Sequence, residues 1–220
     1  MKVISPFQKM LWSCFIFIGM LIFFRIQYAG NLRYLSMIWN IFLAWIPFVL
    51  SGFLHQYRSK EKWKQLIIFG SWLLFFPNAL YIVTDLVHLQ DETNMPWWFD
   101  AVLLFASSFV GIMMAFVSLR KAELYLRSFF KPAIVALLVG VALFMGSFGV
   151  YLGRFERWNS WDVINDPVAL GLGIANKMLN PVDNYKVWFI TILFAVINSL
   201  LYYFIKTLPQ ALAGRKYTAQ

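Results

Sequence analysis

The sequence predicts an all-α, polytopic membrane helix bundle of about six transmembrane helices. Of 220 residues, 61% are hydrophobic, 20% aromatic and only 13% charged, where a soluble domain runs near about 45–50% apolar and about 25% charged. The charges fall in clumps, and the runs between them have the length of roughly 20 residues that a helix needs to cross the hydrocarbon layer. A β-barrel would instead alternate over strands of about 10 residues. This composition excludes a disordered chain, a disulfide scaffold and a soluble secreted enzyme. Cys14 is the single cysteine, so no intrachain disulfide or thiol pair exists.

The first uncharged run lies between Lys9 and Arg25, and with Arg25 snorkelling the helix is expected over 10–29. Lys2 and Lys9 precede it as in a signal peptide, but no small-residue cleavage pattern follows, so it reads as a retained span. Arg33 and His55 bound the second helix, expected over 34–54. Lys64 and Asp85 bound the third, over 65–85. The fourth is expected over 100–119, the fifth over 132–153 and the sixth over 187–205. Between the last two, Asp166-Pro167 reads as an N-cap and first helical residue, with Val168, Leu172, Ala175 and Leu179 on one side. A short helix over 166–180, lying on the outer membrane surface, is therefore expected. No repeat or Gly/Ser linker divides the chain, and 1–220 reads as a single membrane domain.

Sorting the charges by side explains the net +9. With the N-terminus inside, the inner segments hold thirteen Lys and Arg against Glu61 and Glu123, giving +11; the outer segments hold six against eight acids, giving −2. Both termini are thus expected in the cytoplasm. The basic surplus is a topology signal, which leaves no case for nucleic acid as a partner. The lipid bilayer is the partner the sequence implies.

Polar residues inside membrane helices need a partner or a wet cavity, and here they cluster. In the third helix Ser71, Asn78, Tyr81, Asp85 and His88 follow spacings of 7, 3, 4 and 3, which stacks them on one helical face. Pro77 breaks the backbone ladder beside Asn78. The fourth helix carries Asp100, Leu104, Ser107, Gly111, Met114 and Ser118 down one side, and the second carries Asn40, Ala44, Pro47 and Ser51. Gly149 and Gly153 give the fifth a small-xxx-small face suited to close helix approach. Topology brings Asn40, Asp85, His88, Asp100, Arg154, Arg157, Asn159 and Asp162 to the outer ends of their helices, framed by Trp39, Trp97, Trp98, Trp158 and Trp161. A site, if present, faces the extracytoplasmic side.

Three ordered segments, WNIFLAWIP at 39–47, WLLFFPNALYIVTD at 72–85 and YLGRFERWNSWD at 151–162, resemble a bacterial multi-pass membrane family, domain of unknown function 1361. The resemblance runs from the second helix to the sixth and implies a bacterial plasma-membrane protein. Leu80 stands where many relatives would carry proline, which removes a second kink expected there. The resemblance implies no reaction, so function rests on the residues.

Three readings compete. In the first, an enzyme, Asp85 and His88 form an acid–base pair with Asp100 as a second carboxylate. Arg154 and Arg157 then clamp an anion such as the phosphate of a lipid or lipid-linked substrate. Asn40, Asn78, Tyr81, Asn159 and Asp162 line the pocket. A metal version of the same site, with a divalent cation as cofactor, takes Asp85, His88 and Asp100 as ligands, a set suited to Mg²⁺ or Mn²⁺. In the second reading the Ser71-to-Asp85 stripe serves a small-solute or proton carrier, which six helices would complete only as a homo-oligomer. In the third the cluster locks the helices of a non-catalytic subunit or assembly factor.

Overall fold

The computed structural model describes residues 5–56, 62–90 and 94–212. The charges of Lys2, Arg58, Lys60, Glu61, Asp91, Glu92, Arg215 and Lys216, used above to orient the chain, lie outside the described residues. Helices form α1 (Pro6–Ala29), α2 (Ser36–Gln56), α3 (Lys62–Tyr81), α4 (Trp97–Leu126), α5 (Pro132–Phe155), α6 (Asp162–Asn165), α7 (Pro167–Leu179) and α8 (Tyr185–Leu212). Among the described residues there is no strand, and six helices are long and apolar enough to cross a membrane. The chain is an all-α, multi-pass integral membrane protein.

Helix ends follow local chemistry. At the start of α1 the Ser5 hydroxyl accepts from the Gln8 amide and the Gln8 side chain accepts from the Ser5 amide, a reciprocal cap. Gly30 closes α1 at φ 65°, the left-handed conformation that glycine adopts freely, and donates to the Ile26 carbonyl. A 3-10 turn, Arg33–Leu35, leads into α2. The fourth span begins at Pro96–Trp97 and runs to Leu126, beyond the expected 119, because Glu123 is held from both sides by Arg120 at 2.9 Å and Arg127 at 2.7 Å. Paired charges can extend a span where isolated ones would end it.

The largest departure from expectation lies in the third span. α3 stops at Tyr81, and nine residues of 3-10 helix, Ile82–Gln90, follow. Such runs rarely exceed about 3–4 residues. The break therefore falls beyond Leu80, although no proline stands there.

The described residues form two compact units, divided between Phe129 and Phe130. In the first, α4 is the central helix: α1, α2, α3 and the 3-10 segment all pack on it, and α2 and α3 pack on each other. Its stripe of Asp100, Leu104, Ser107, Gly111, Met114 and Ser118 is buried, as are Ala44, Pro47 and Ser51 of α2. Buried serines satisfy themselves locally: Ser51, Ser107 and Ser118 donate to carbonyls three or four residues back. Ser118 also accepts from the Trp72 indole at 3.3 Å. Large apolar side chains such as Phe105 and Phe109 stay exposed, which suits lipid.

The second unit is built on the α5–α8 pair. Thr191 and Asn198 of α8 are buried, and Asn198 reaches the Ser147 hydroxyl at 3.5 Å. The Phe148 and Trp188 rings stack at 5.8 Å. Asp166 caps α7 by accepting from Ala169, and Lys177 pins it through a 2.9 Å ion pair to Glu156. Val168, Leu172 and Leu179 remain exposed on α7. Asp166→Ala is expected to cost about 1 kcal/mol of local helix stability, seen as faster amide exchange confined to α7.

Candidate functional site

At one end of the first unit, five elements bring polar side chains into a single connected network. The 3-10 segment supplies Asp85 and His88. In a 3-10 helix residues three apart eclipse, so Ile82, Asp85 and His88 line one edge. Ile82 and Asp85 are buried, while the His88 side chain is 44% exposed. The Asn40 amide of α2 donates to Asp85 Oδ2 at 2.7 Å. His88 Nε2 stands 4.0 Å from Asp85 Oδ1. That is longer than a hydrogen bond, yet within the range from which catalytic pairs tighten on binding substrate.

Beside this pair lies one that spacing alone did not foretell. Arg25 of α1, expected to snorkel, is instead fully buried. Its Nε donates to Asp100 Oδ1 at 2.8 Å and its Nη2 to Oδ2 at 3.2 Å, a side-on bidentate bridge. Its Nη1 donates to Asn31 Oδ1 at 2.8 Å, and the guanidinium carbon sits 3.8 Å above the Tyr34 ring. Tyr34 in turn donates its hydroxyl to the His88 carbonyl at 3.3 Å. Tyr34 is thus the link between the Arg25–Asp100 pair and the Asp85–His88 pair.

The expected residues divide accordingly. Asn40, Asp85 and His88 come together. Asp100 joins the network through Arg25, and among the described residues no three His, Cys, Asp or Glu side chains gather as a metal-holding group. Asn78 donates to the Phe75 carbonyl at 3.1 Å, near the ladder that Pro77 breaks. Tyr81 is the last residue of α3, where the 3-10 segment takes over, and is half-buried. In the second unit Asp162 Oδ2 accepts from the Asn159 backbone amide at 2.7 Å, a bond that shapes their own loop. Arg157 sits at φ 63°, uncommon for so bulky a residue. It ends α5 where the Trp158 amide turns back to the Leu152 carbonyl. Arg154, a turn earlier, is partly buried.

A family model described as "Protein of unknown function (DUF1361)" matches residues 39–201. The chain belongs to this family. No curated protein and no solved structure matches it. The DUF1361 match takes in Asn40, Asp85, His88 and Asp100, whereas Arg25, Asn31 and Tyr34 precede its first residue. The one sequence signal that could have found Arg25 is its company. It shares a span end with Asn31 and Tyr34, and α1 has no other charged residue after Lys9.

Proposed function

We propose that this DUF1361 protein is an enzyme of a bacterial plasma membrane, acting on a phosphate-bearing lipid or lipid-linked substrate. Its site faces the extracytoplasmic side and both termini lie in the cytoplasm, as the excess of Lys and Arg on the inner segments supports. The reading rests on the Asp85–His88 pair: a buried carboxylate fixed by Asn40, beside an imidazole that remains accessible. His88 takes a proton from the attacking hydroxyl or water and returns it to the leaving group; Asp85 orients the imidazole and stabilises its charged form. Asp100, anticipated as a second catalytic carboxylate, acts here through Arg25 as a positioning residue. In the second unit, Arg154 and Arg157 are assigned to phosphate headgroups.

General acid–base groups contribute about 10²–10⁴-fold to rate, so His88→Gln should abolish turnover at normal membrane abundance. The lipid extracts of cells lacking the protein, and of cells carrying wild type or His88→Gln, supply the readout by mass spectrometry. The variant should match the deletion. A variant that restores the wild-type lipid profile overturns the reading, and loss of abundance would assign the pair to holding helices together.

A carrier is the second reading, favoured by one observation: Asn78 beside Pro77 within the third span. Proteoliposome uptake that survives His88→Gln would select it.

A further inference from the structure

The first unit contains an apolar groove remote from the α3–α4 packing. α1 packs on α4 and α2 packs on α3 and α4, so α1 and α2 stand apart from each other along the middle of their length. Side-chain contacts flank that stretch. At one end the Phe7 and Phe48 rings meet at 5.8 Å; at the other the Arg25 guanidinium covers the Tyr34 ring. Between these lies a cavity of about 310 Å³ with almost wholly apolar walls, formed by Trp12, Gly19 and Ile22 of α1 and Ile38, Phe42 and Trp45 of α2. Ile22 is buried in its floor, while Trp12, Ile38 and Phe42 stay about half exposed at its rim. The groove therefore opens sideways from a bundle whose surroundings are lipid.

Its dimensions select the occupant. From Trp12 to Ile22 the helical rise of 1.5 Å per residue gives a length of about 15 Å. Spread over that length, and with the roughly 1.4 Å radius of a water molecule added at its walls, the cavity is a channel about 8 Å across, narrower than an α-helix of roughly 10–12 Å diameter. A single hydrocarbon chain fits this girth, and a transmembrane helix from another protein does not. Gly19 helps to create the space: a Cβ built on it meets no atom within 4 Å.

We infer that the groove between α1 and α2 seats one acyl chain of a membrane lipid. This requires only that the helices span a bilayer and stands apart from the acid–base reading.

The test uses the full chain in vesicles doped with phosphatidylethanolamine bearing a diazirine midway along one acyl chain. After photolysis, adducts mapped by mass spectrometry should concentrate on groove residues rather than on Phe105 and Phe109, which are exposed to lipid elsewhere. Gly19→Phe puts a ring into the groove from a position where a Cβ meets no atom within 4 Å, and should cut groove labelling at least fivefold, leaving Phe105 and Phe109 unchanged; Gly19→Leu is the milder alternative should the larger ring impair folding. Groove labelling no stronger than at Phe105 and Phe109, or insensitive to both substitutions, overturns the proposal. So does disulfide dimerisation of Phe42→Cys in a Cys14→Ser background, which would place a second copy over the groove. His88→Gln serves as control: with the groove reading correct its labelling persists, whatever becomes of lipid turnover.

Discussion

Arg25→Met should destabilise the protein by about 3–5 kcal/mol, the range measured when one partner of a buried ion pair is removed. Methionine preserves much of the side-chain volume and discards every polar contact: the two bonds to Asp100, the bond to Asn31 and the charge over Tyr34. Asp100, 3% exposed, loses its counter-charge where solvent cannot replace it. Asp100→Leu alone should cost a similar amount by leaving the guanidinium uncompensated. The double variant Arg25→Met with Asp100→Leu should recover most of the loss, since an apolar pair of suitable volume replaces a buried bridge at little net cost. Thermal unfolding of the detergent-solubilised protein, followed through its 10 tryptophans, reads all three. Equal stability of the single and double variants would show that the pair is not a coupled unit.

That prediction turns on a contact between residues 75 positions apart, and distance along the chain explains what could be foreseen. The spans were legible because burial in lipid is a property of each segment alone: length and apolarity suffice. The inward faces of α2 and α4 were legible for a related reason. Small and polar side chains face neighbouring helices rather than lipid, and helical spacing reveals the stripe. The α7 cap was local as well, written in the adjacent Asp166 and Pro167.

Pairing is a different kind of information. An arginine at a span end reads equally as snorkelling to water or as bridging an acid on another helix, and only the packing of α1 against α4 decides. At Asn159 and Asp162 polarity suggests a ligand, and the structure adds a bond between them that fixes the turn carrying both. The 3-10 segment was hidden for a geometric reason. Positions 85 and 88 share a side at either 3.6 or 3.0 residues per turn, so the Asp85–His88 proximity survives the change of helix type and gives no sign of it.

The 3-10 segment itself depends on a glycine, and Gly111→Ala should therefore disturb the candidate site from the opposite helix. A Cβ built on Gly111 would stand 2.1 Å from Ile82 Cγ2, 3.3 Å from Ile82 Cβ and 3.2 Å from the Ala79 carbonyl oxygen. No rotamer of Ile82 relieves all three, because two belong to atoms fixed by the backbone. The first residue of the 3-10 run must then retreat from α4, straining the 3.1 Å bond from Ser108 to the Ile82 carbonyl. Overpacking of this kind costs about 1–3 kcal/mol, and Gly111→Val should exceed Gly111→Ala. Because Ile82, Asp85 and His88 share one edge, the retreat also draws Asp85 from Asn40. Gly111→Ala should thus lower both the unfolding temperature and any activity that needs His88. Pairing it with Ile82→Ala removes the closest collision and should restore the activity more fully than the stability, since the truncation empties a well-packed site. A Gly111→Ala protein with unchanged unfolding temperature and activity would mean that the close approach does not hold the segment in place.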